Sequence, residues 1–255
     1  MHWGYLDDGD LRGQRFTTPK GQSIAGHAIG IVHLEVWYPL LPGNVVNATT
    51  YDFPVRYKVL REATIPRILQ ADPGLLQLIV QAGHELEDDG VRAMVGACGY
   101  FANYQREVAA ALSIPVFLSS LLQVPLIHRA LKPGQRVGIM FADASAVNPN
   151  MLEACGITSD VPVAYTGMEG QSEFRSILDC TGAFHYDRLE QELVDEARQL
   201  VAANPDVGAI LLECSDMPPF ARAIQGAVQL PVFDFISMIN WIYHGVVQRS
   251  YEGFF

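Results

Sequence analysis

The sequence predicts an α/β protein of two similar lobes, each a parallel sheet flanked by helices, related by a pseudo-twofold axis with an active site in the cleft between them. The first observation is a repeat. Cys98, in Val91-Arg92-Ala93-Met94-Val95-Gly96-Ala97-Cys98, and Cys214, in Gly208-Ala209-Ile210-Leu211-Leu212-Glu213-Cys214, lie 116 residues apart. The same offset separates Pro115 from Pro231, each opening an apolar run, Val116-Phe117 and Val232-Phe233, with no gap needed. The second observation is order. Each copy reads apolar run, cysteine, helix-compatible stretch, proline, apolar run, which is the strand, turn, helix, strand of a parallel sheet. The third is that Arg136–Ala142 resembles Ala28–Val36, so the repeat extends beyond the cysteines. The division this predicts is a first lobe of residues 24–124 plus 234–255 carrying Cys98, a second of 125–233 carrying Cys214, and an N-terminal arm or dimer contact over 1–23.

Ala28–Val36 is the first expected strand, and the loop Trp37-Tyr38-Pro39-Leu40-Leu41-Pro42-Gly43-Asn44 leaves its carboxyl end. Gly43 and Asn44 are there either as backbone and amide donors to a ligand or as a simple Pro-Gly turn. Arg56 is read as a carboxylate clamp or as part of a solvated helix face. Pro73–Glu87 has an early proline, Leu75, Leu76, Ile79, Val80 and Leu86 at helical spacing, and Gly90 past its end. His84-Glu85 is not half of a zinc-protease helix, because position 88 is Asp88.

After Cys98, Val116-Phe117-Leu118 delivers Ser119 and Ser120 to the same sheet edge, as ligand donors or helix caps. Lys132-Pro133-Gly134 turns the chain into the second half, where Asp143, Ser145 and Asn148 follow the strand Arg136–Ala142 and face the cleft or cap a helix. Cys155 and Cys180 follow no core strand and are read as packing residues. Tyr186–Ala203 is an amphipathic helix, Val207–Leu212 is the strand that delivers Cys214, and Phe235–Val247 is a closing helix that crosses back to the first lobe.

Ligands of open parallel sheets sit outside the carboxyl ends of the strands, where Cys98 and Cys214 both fall. The free N–H groups of a following helix favour a thiolate. A lone cysteine there is more often an apolar filler, but a matched pair points to one cleft with a sulfur on each wall.

Composition excludes several classes. With 49% hydrophobic and 18% charged residues the chain is globular, and a net charge of −11 with 17 basic residues argues against nucleic acid or an anionic membrane as partner. The longest uncharged stretch, Val108–Ile127, contains Pro115, Pro125 and Gln123 and reads as strand and helix ends rather than a membrane span. Four cysteines without a Cys-x-x-Cys pair or Cys/His cluster indicate neither a disulfide scaffold nor zinc, and with no secretory leader the expected home is a reducing cytoplasm. No glycine-rich dinucleotide or phosphate loop and no Gly-x-Ser-x-Gly elbow occurs. The three lysines, Lys20, Lys58 and Lys132, do not sit at strand ends as a Schiff-base lysine would.

Taken together, Val95-Gly96-Ala97-Cys98-Gly99-Tyr100-Phe101, Pro115-Val116-Phe117-Leu118-Ser119-Ser120 and Leu211-Leu212-Glu213-Cys214-Ser215 resemble the aspartate/glutamate racemase superfamily, from about Ile24 onward. That superfamily includes amino-acid and hydantoin racemases, maleate isomerase and arylmalonate decarboxylase. The resemblance implies two lobes, no cofactor, no metal, and one cysteine from each lobe. Glutamate racemases place Asn-Thr or Asn-Ser where this chain has Gly99-Tyr100, and Thr-His where it has Ser215-Asp216. A substrate other than glutamate is therefore expected, and Asp216 would tend to raise the Cys214 pKa.

The implied activity is that of an isomerase: a cofactor-independent racemase or epimerase of a small carboxylate, exchanging protons between Cys98 and Cys214 on opposite faces of the reacting carbon. Backbone N–H groups of Gly99, Tyr100, Ser215 and Asp216 would hold the developing charge, with Gly43, Asn44, Ser119, Ser120 and Ser145 completing the binding set. Maleate-isomerase-like or decarboxylase chemistry, or a small-anion binding protein, are the alternatives. A homo-oligomer is expected.

Overall fold

The computed structural model describes residues 11–255. The first ten residues of the expected N-terminal arm lie outside this range, and residues 11–23 are irregular and mostly exposed.

Two four-stranded, all-parallel sheets form the two halves. The first is built from β1 (Ile29–Leu34), β2 (Val55–Leu60), β3 (Ala93–Gly96) and β4 (Val116–Phe117), in spatial order 2-1-3-4. Its helices are α1 (Ile65–Leu69), α2 (Leu75–Asp88) and α3 (Gln105–Ala111). The second is built from β5 (Arg136–Phe141), β6 (Val163–Gly167), β7 (Val207–Leu212) and β8 (Val232–Phe233), in the order 6-5-7-8. With it go α4 (Val124–Ala130), α5 (Pro149–Ala154), α6 (Ser172–Leu178), α7 (Tyr186–Ala203) and α8 (Ala221–Val228). The two orders are the same pattern read twice, so the α/β duplication expected from the sequence is the architecture. Parallel strands covered on both faces read as continuous apolar runs. Accordingly all six residues of β7 and all four of β3 are buried.

α9 (Phe235–Val246) returns to the first sheet, where Phe235, Met238, Ile239 and Ile242 cluster with Ile29, Ile31, Ala93 and Val95. It starts with a capping box in which Asp234 accepts from the Ser237 N–H and Ser237 Oγ accepts from the Asp234 N–H. On the other face of that sheet α2 comes so close that a Cβ on Gly30 would meet the Leu86 side chain at 2.8 Å.

Sequence and structure part at the two edge strands. β2 and β6 have no counterpart in the sequence reading, because an edge strand is only half covered and carries polar residues that break up its apolar run. Arg56, read as a possible carboxylate clamp, lies on β2 and pairs with Asp89 at 2.7 Å, so it serves the sheet rather than a ligand. The α-helix expected directly after Cys98 starts only at Gln105; a 3₁₀ helix, Gly99–Tyr104, comes first.

Ile239→Ala, which empties part of the seam between α9 and the first sheet, should cost about 2–5 kcal/mol, read as a lowered urea midpoint with an unchanged slope.

Candidate active site

The carboxyl ends of β1, β3, β5 and β7 converge on one cavity. Its walls include His33, Tyr38, Cys98, Tyr100, Cys214, Ser215 and Asp216, with an apolar remainder and no lysine or arginine. The pair of sulfurs legible in the sequence thus faces one space, and all four cysteines are free thiols.

Cys98 stands in extended backbone at the start of the 3₁₀ helix Gly99–Tyr104, where the backbone N–H groups of Tyr100 and Phe101 favour a thiolate. Burial nevertheless raises its thiol pKa far above the ordinary value, with the charges of Glu213 and Asp216 adding to the effect and the two N–H groups opposing it. Cys214 is buried and also raised, first by desolvation and next by Asp216. Its thiol donates to Asp216 Oδ2 across 3.5 Å.

Asp216 is the hub. Besides Cys214, it accepts from Tyr38 Oη at 3.0 Å and from Asn44 Nδ2 at 2.6 Å, and the Ser215 side chain also bonds to it. These donors suit a carboxylate, while burial pulls the other way and raises its pKa. Tyr38 and Asn44 both come from the loop that leaves β1, so this bond set crosses from the first half to the second. His33 has its pKa lowered by burial, and its Nδ1 donates to the Leu34 carbonyl, which makes it a neutral wall group. Tyr100 Oη donates to the Asp143 carbonyl at 2.6 Å and accepts from the Asp143 N–H at 2.8 Å, a second clasp between the lobes.

The sequence-predicted donors divide. Asn44, Tyr100, Ser215 and Asp216 stand at or beside the cavity. The Tyr100 N–H acts on the Cys98 thiol and the Asp216 N–H on the Cys214 thiol, each lowering its pKa. Gly43 forms a turn at φ +97°, where an added Cβ would approach the Pro219 Cα to 3.0 Å, and its N–H donates to Thr50 Oγ1. Ser119 caps the 3₁₀ helix Ser120–Gln123 through the Leu121 N–H. Ser120 Oγ donates to the carbonyls of Leu212 and Glu213. Gly99 lies against the Glu213 carboxyl. Ser145 is exposed and lines a neighbouring hollow. Tyr38, His33 and Glu213 were not singled out in the sequence. A charged residue ending the otherwise apolar β7 was the available signal for Glu213.

The cavity measures about 40 Å³, room for about three waters. Beside it is an open hollow of about 390 Å³ lined by Gln70, Asp143, Ser145, Arg175 and Asp179. Ile65, Leu69 and Leu178, from α1 and α6, line both spaces and form the partition. α1 is flanked by Glu62 and Ala71 and α6 is followed by Cys180, all non-glycine residues with positive φ. Among the described residues no cluster suits a metal ion, and no helix is long and apolar enough to cross a membrane.

No family model matches the chain. In sequence it is 28% identical over 242 residues to a dimethylsulfoniopropionate lyase of Durusdinium sp. clade D, covering 92% of this chain and 80% of that protein. It is also 28% identical over 230 residues to dimethylsulfoniopropionate lyase 6 of Emiliania huxleyi, covering 85% of this chain and 59% of that one, so it spans about three fifths of the length of this relative. In structure it is similar to a glutamate racemase of Bacillus anthracis (TM-score 0.56, 15% identity, 86% of this chain and 82% of that one). It is also similar to unliganded arylmalonate decarboxylase (0.54, 17%, 86% and 92%) and to an aspartate racemase of Picrophilus torridus (0.53, 14%, 87% and 94%). The sequence relatives carry the names of lyases, and this overturns the expectation of a racemase or epimerase and of the isomerase class. The reason is physical: fold and paired thiols suit any proton removal beside a carboxylate, and the fate of the resulting carbanion is set by the substrate's other groups. The chain has the two-lobed fold of the aspartate/glutamate racemase superfamily, and along most of its length its sequence is similar to proteins named for a lyase activity.

Proposed function

We propose that the chain is a lyase acting on dimethylsulfoniopropionate or a close β-sulfonio carboxylate, releasing dimethyl sulfide and leaving acrylate. The observation that carries this reading, beside the names of the sequence relatives, is the charge of the cavity: two thiols, Asp216 and the Tyr38 ring, with no lysine or arginine in its walls. A sulfonium cation finds there a carboxylate and an aromatic face, and it relieves the burial cost of Asp216.

Cys214 serves as base. Its thiol already donates to Asp216, which Asn44 and Tyr38 hold in place, an arrangement of nucleophile, proton acceptor and orienting groups. The arriving cation favours a thiolate, so the Cys214 proton passes to Asp216. The thiolate then takes a proton from the carbon next to the substrate carboxylate, that C–H pair becomes the double bond, and the carbon–sulfur bond breaks with its pair leaving on sulfur. Dimethyl sulfide departs neutral and needs no proton, and Asp216 gives its proton to solvent as the products leave, so the reaction asks for one base and not for an acid on the opposite face. Cys98, on the other wall, contacts the substrate without exchanging a proton. The substrate reaches the cavity from the adjoining hollow, past Ile65, Leu69 and Leu178, which line both spaces.

Two measurements test this reading. Incubation of the protein with dimethylsulfoniopropionate should release dimethyl sulfide and acrylate in equal amounts. Cys214→Ala should lose about 10²–10⁴ in kcat/KM, the usual size of a general-base contribution, while Cys98→Ala loses less; equal loss in both, or no sulfide from the wild type, is the contrary result. In Asp216→Asn, removal of the neighbouring charge should lower the Cys214 pKa. Its alkylation by iodoacetamide at mildly alkaline pH should then speed up on the order of tenfold even as lyase activity falls. Slower alkylation would count against Asp216 as the group that keeps the resting thiol protonated.

A further inference from the structure

Glu213 is the buried titratable group that the proposed elimination does not use. It ends the run of β7, is fully buried, and points its carboxyl across the lobe interface rather than to solvent. Oε2 accepts from the Ala142 N–H at 3.2 Å, while Oε1 has no hydrogen-bond partner. Its place exists because position 99 is a glycine: a Cβ on Gly99 would fall 1.9 Å from Oε1. Ser120 Oγ, from the first half, holds the Glu213 carbonyl at 3.3 Å, so backbone and side chain are both fixed at the seam.

The surroundings hold acids and neutral groups. Cys98 and Tyr100 face Glu213 from the 3₁₀ helix Gly99–Tyr104, Asp143 from the end of β5, Cys155 from the end of α5, and Cys214 and Asp216 from its own chain. A carboxylate there would be buried with one N–H for two oxygens, and the charges that act on it, Asp216 and Asp143, are negative, which makes the neutral acid the cheaper form.

We propose that Glu213 is a positioning residue, a carboxylic acid that keeps its proton at the lobe interface and so leaves Cys98 and Cys214 free to become thiolates. The link to turnover rests on the lyase reading; the link to the thiols does not. Burial pushes Glu213 up to about 8, so alkaline solution ionises it. Its charge is the first to act on Cys98 and also acts on Cys214, and once present it resists a second negative charge on either sulfur. The device therefore imposes an alkaline limit on a site whose thiols alone would gain reactivity with rising pH.

The test uses the full chain and iodoacetamide, with Cys98 alkylation rates read by peptide mass spectrometry from about pH 6 to about pH 10. In the wild type the rise with pH should pause near pH 8 as Glu213 ionises. In Glu213→Gln it should continue unbroken, reaching on the order of tenfold the wild-type rate at the alkaline end. Thermal melting supplies a second readout. A folded-state pKa above the unfolded one gives stability that is present below the unfolded value and lost as pH rises through the folded value. The wild type should therefore lose melting temperature relative to Glu213→Gln between about pH 4.5 and about pH 8. Glu213→Met, of similar volume and without charge, gives the same comparison if the amide does not fold. Identical alkylation profiles in wild type and variants overturn the proposal whatever the substrate proves to be. Unbroken profiles in the variants uphold it even if dimethylsulfoniopropionate is not cleaved.

Discussion

A carboxylate buried without a cation is the constraint around which the two halves are joined. Asp216 has neither lysine nor arginine beside it in the cavity, so its charge is balanced by dipoles: the Tyr38 hydroxyl, the Asn44 amide, the Cys214 thiol and the Ser215 side chain. Two of these donors come from the loop after β1 and two from the turn after β7. If the halves slid apart, the acid would be left with half its partners, a loss that costs more than the bonds contribute when made. The interface is thereby held in register by the same group that gives the cavity its charge.

The state of the thiols depends on that carboxylate. Burial and neighbouring acids push both thiols up and favour their protonated forms. A protonated buried thiol is a poor target for oxidants and alkylating agents. Under the proposed lyase reading, a cationic substrate reverses that balance, so reactivity depends on occupancy. Glu213, buried in the space that Gly99 leaves open and raised by desolvation, adds its charge to the opposition to a thiolate when it ionises.

The duplication was legible because two distant segments repeat cysteine and proline at one offset, and a buried parallel strand leaves a plain apolar run. The edge strands β2 and β6 were not legible, since half their residues face solvent and resemble loop sequence. The two cysteines were legible as a pair, and Asp216 as the departure beside the second. Tyr38 was not, because its role depends on a hydrogen bond to a residue 178 positions away. Serine was the least informative type: Ser119 and Ser120 stand at the right sheet edge, yet one caps a helix and the other binds carbonyls of the opposite half. The reaction itself lay beyond periodicity and spacing, because a thiol beside an acidic C–H begins racemisation, decarboxylation and elimination alike.

The return of α9 to the first sheet also shapes how the protein is made. Synthesis runs from the N-terminus, and domains generally fold as units when their parts are available. Here the helix that covers Ile29, Ile31, Ala93 and Val95 is synthesised after both sheets. Until it leaves the ribosome the earliest strands keep one apolar face bare, while the second half, whose strands and flanking helices all lie between Val124 and Phe233, can already close. By this order of synthesis the later half has all its covering elements before the earlier one does, and the uncovered face of the first sheet is the surface exposed in that interval.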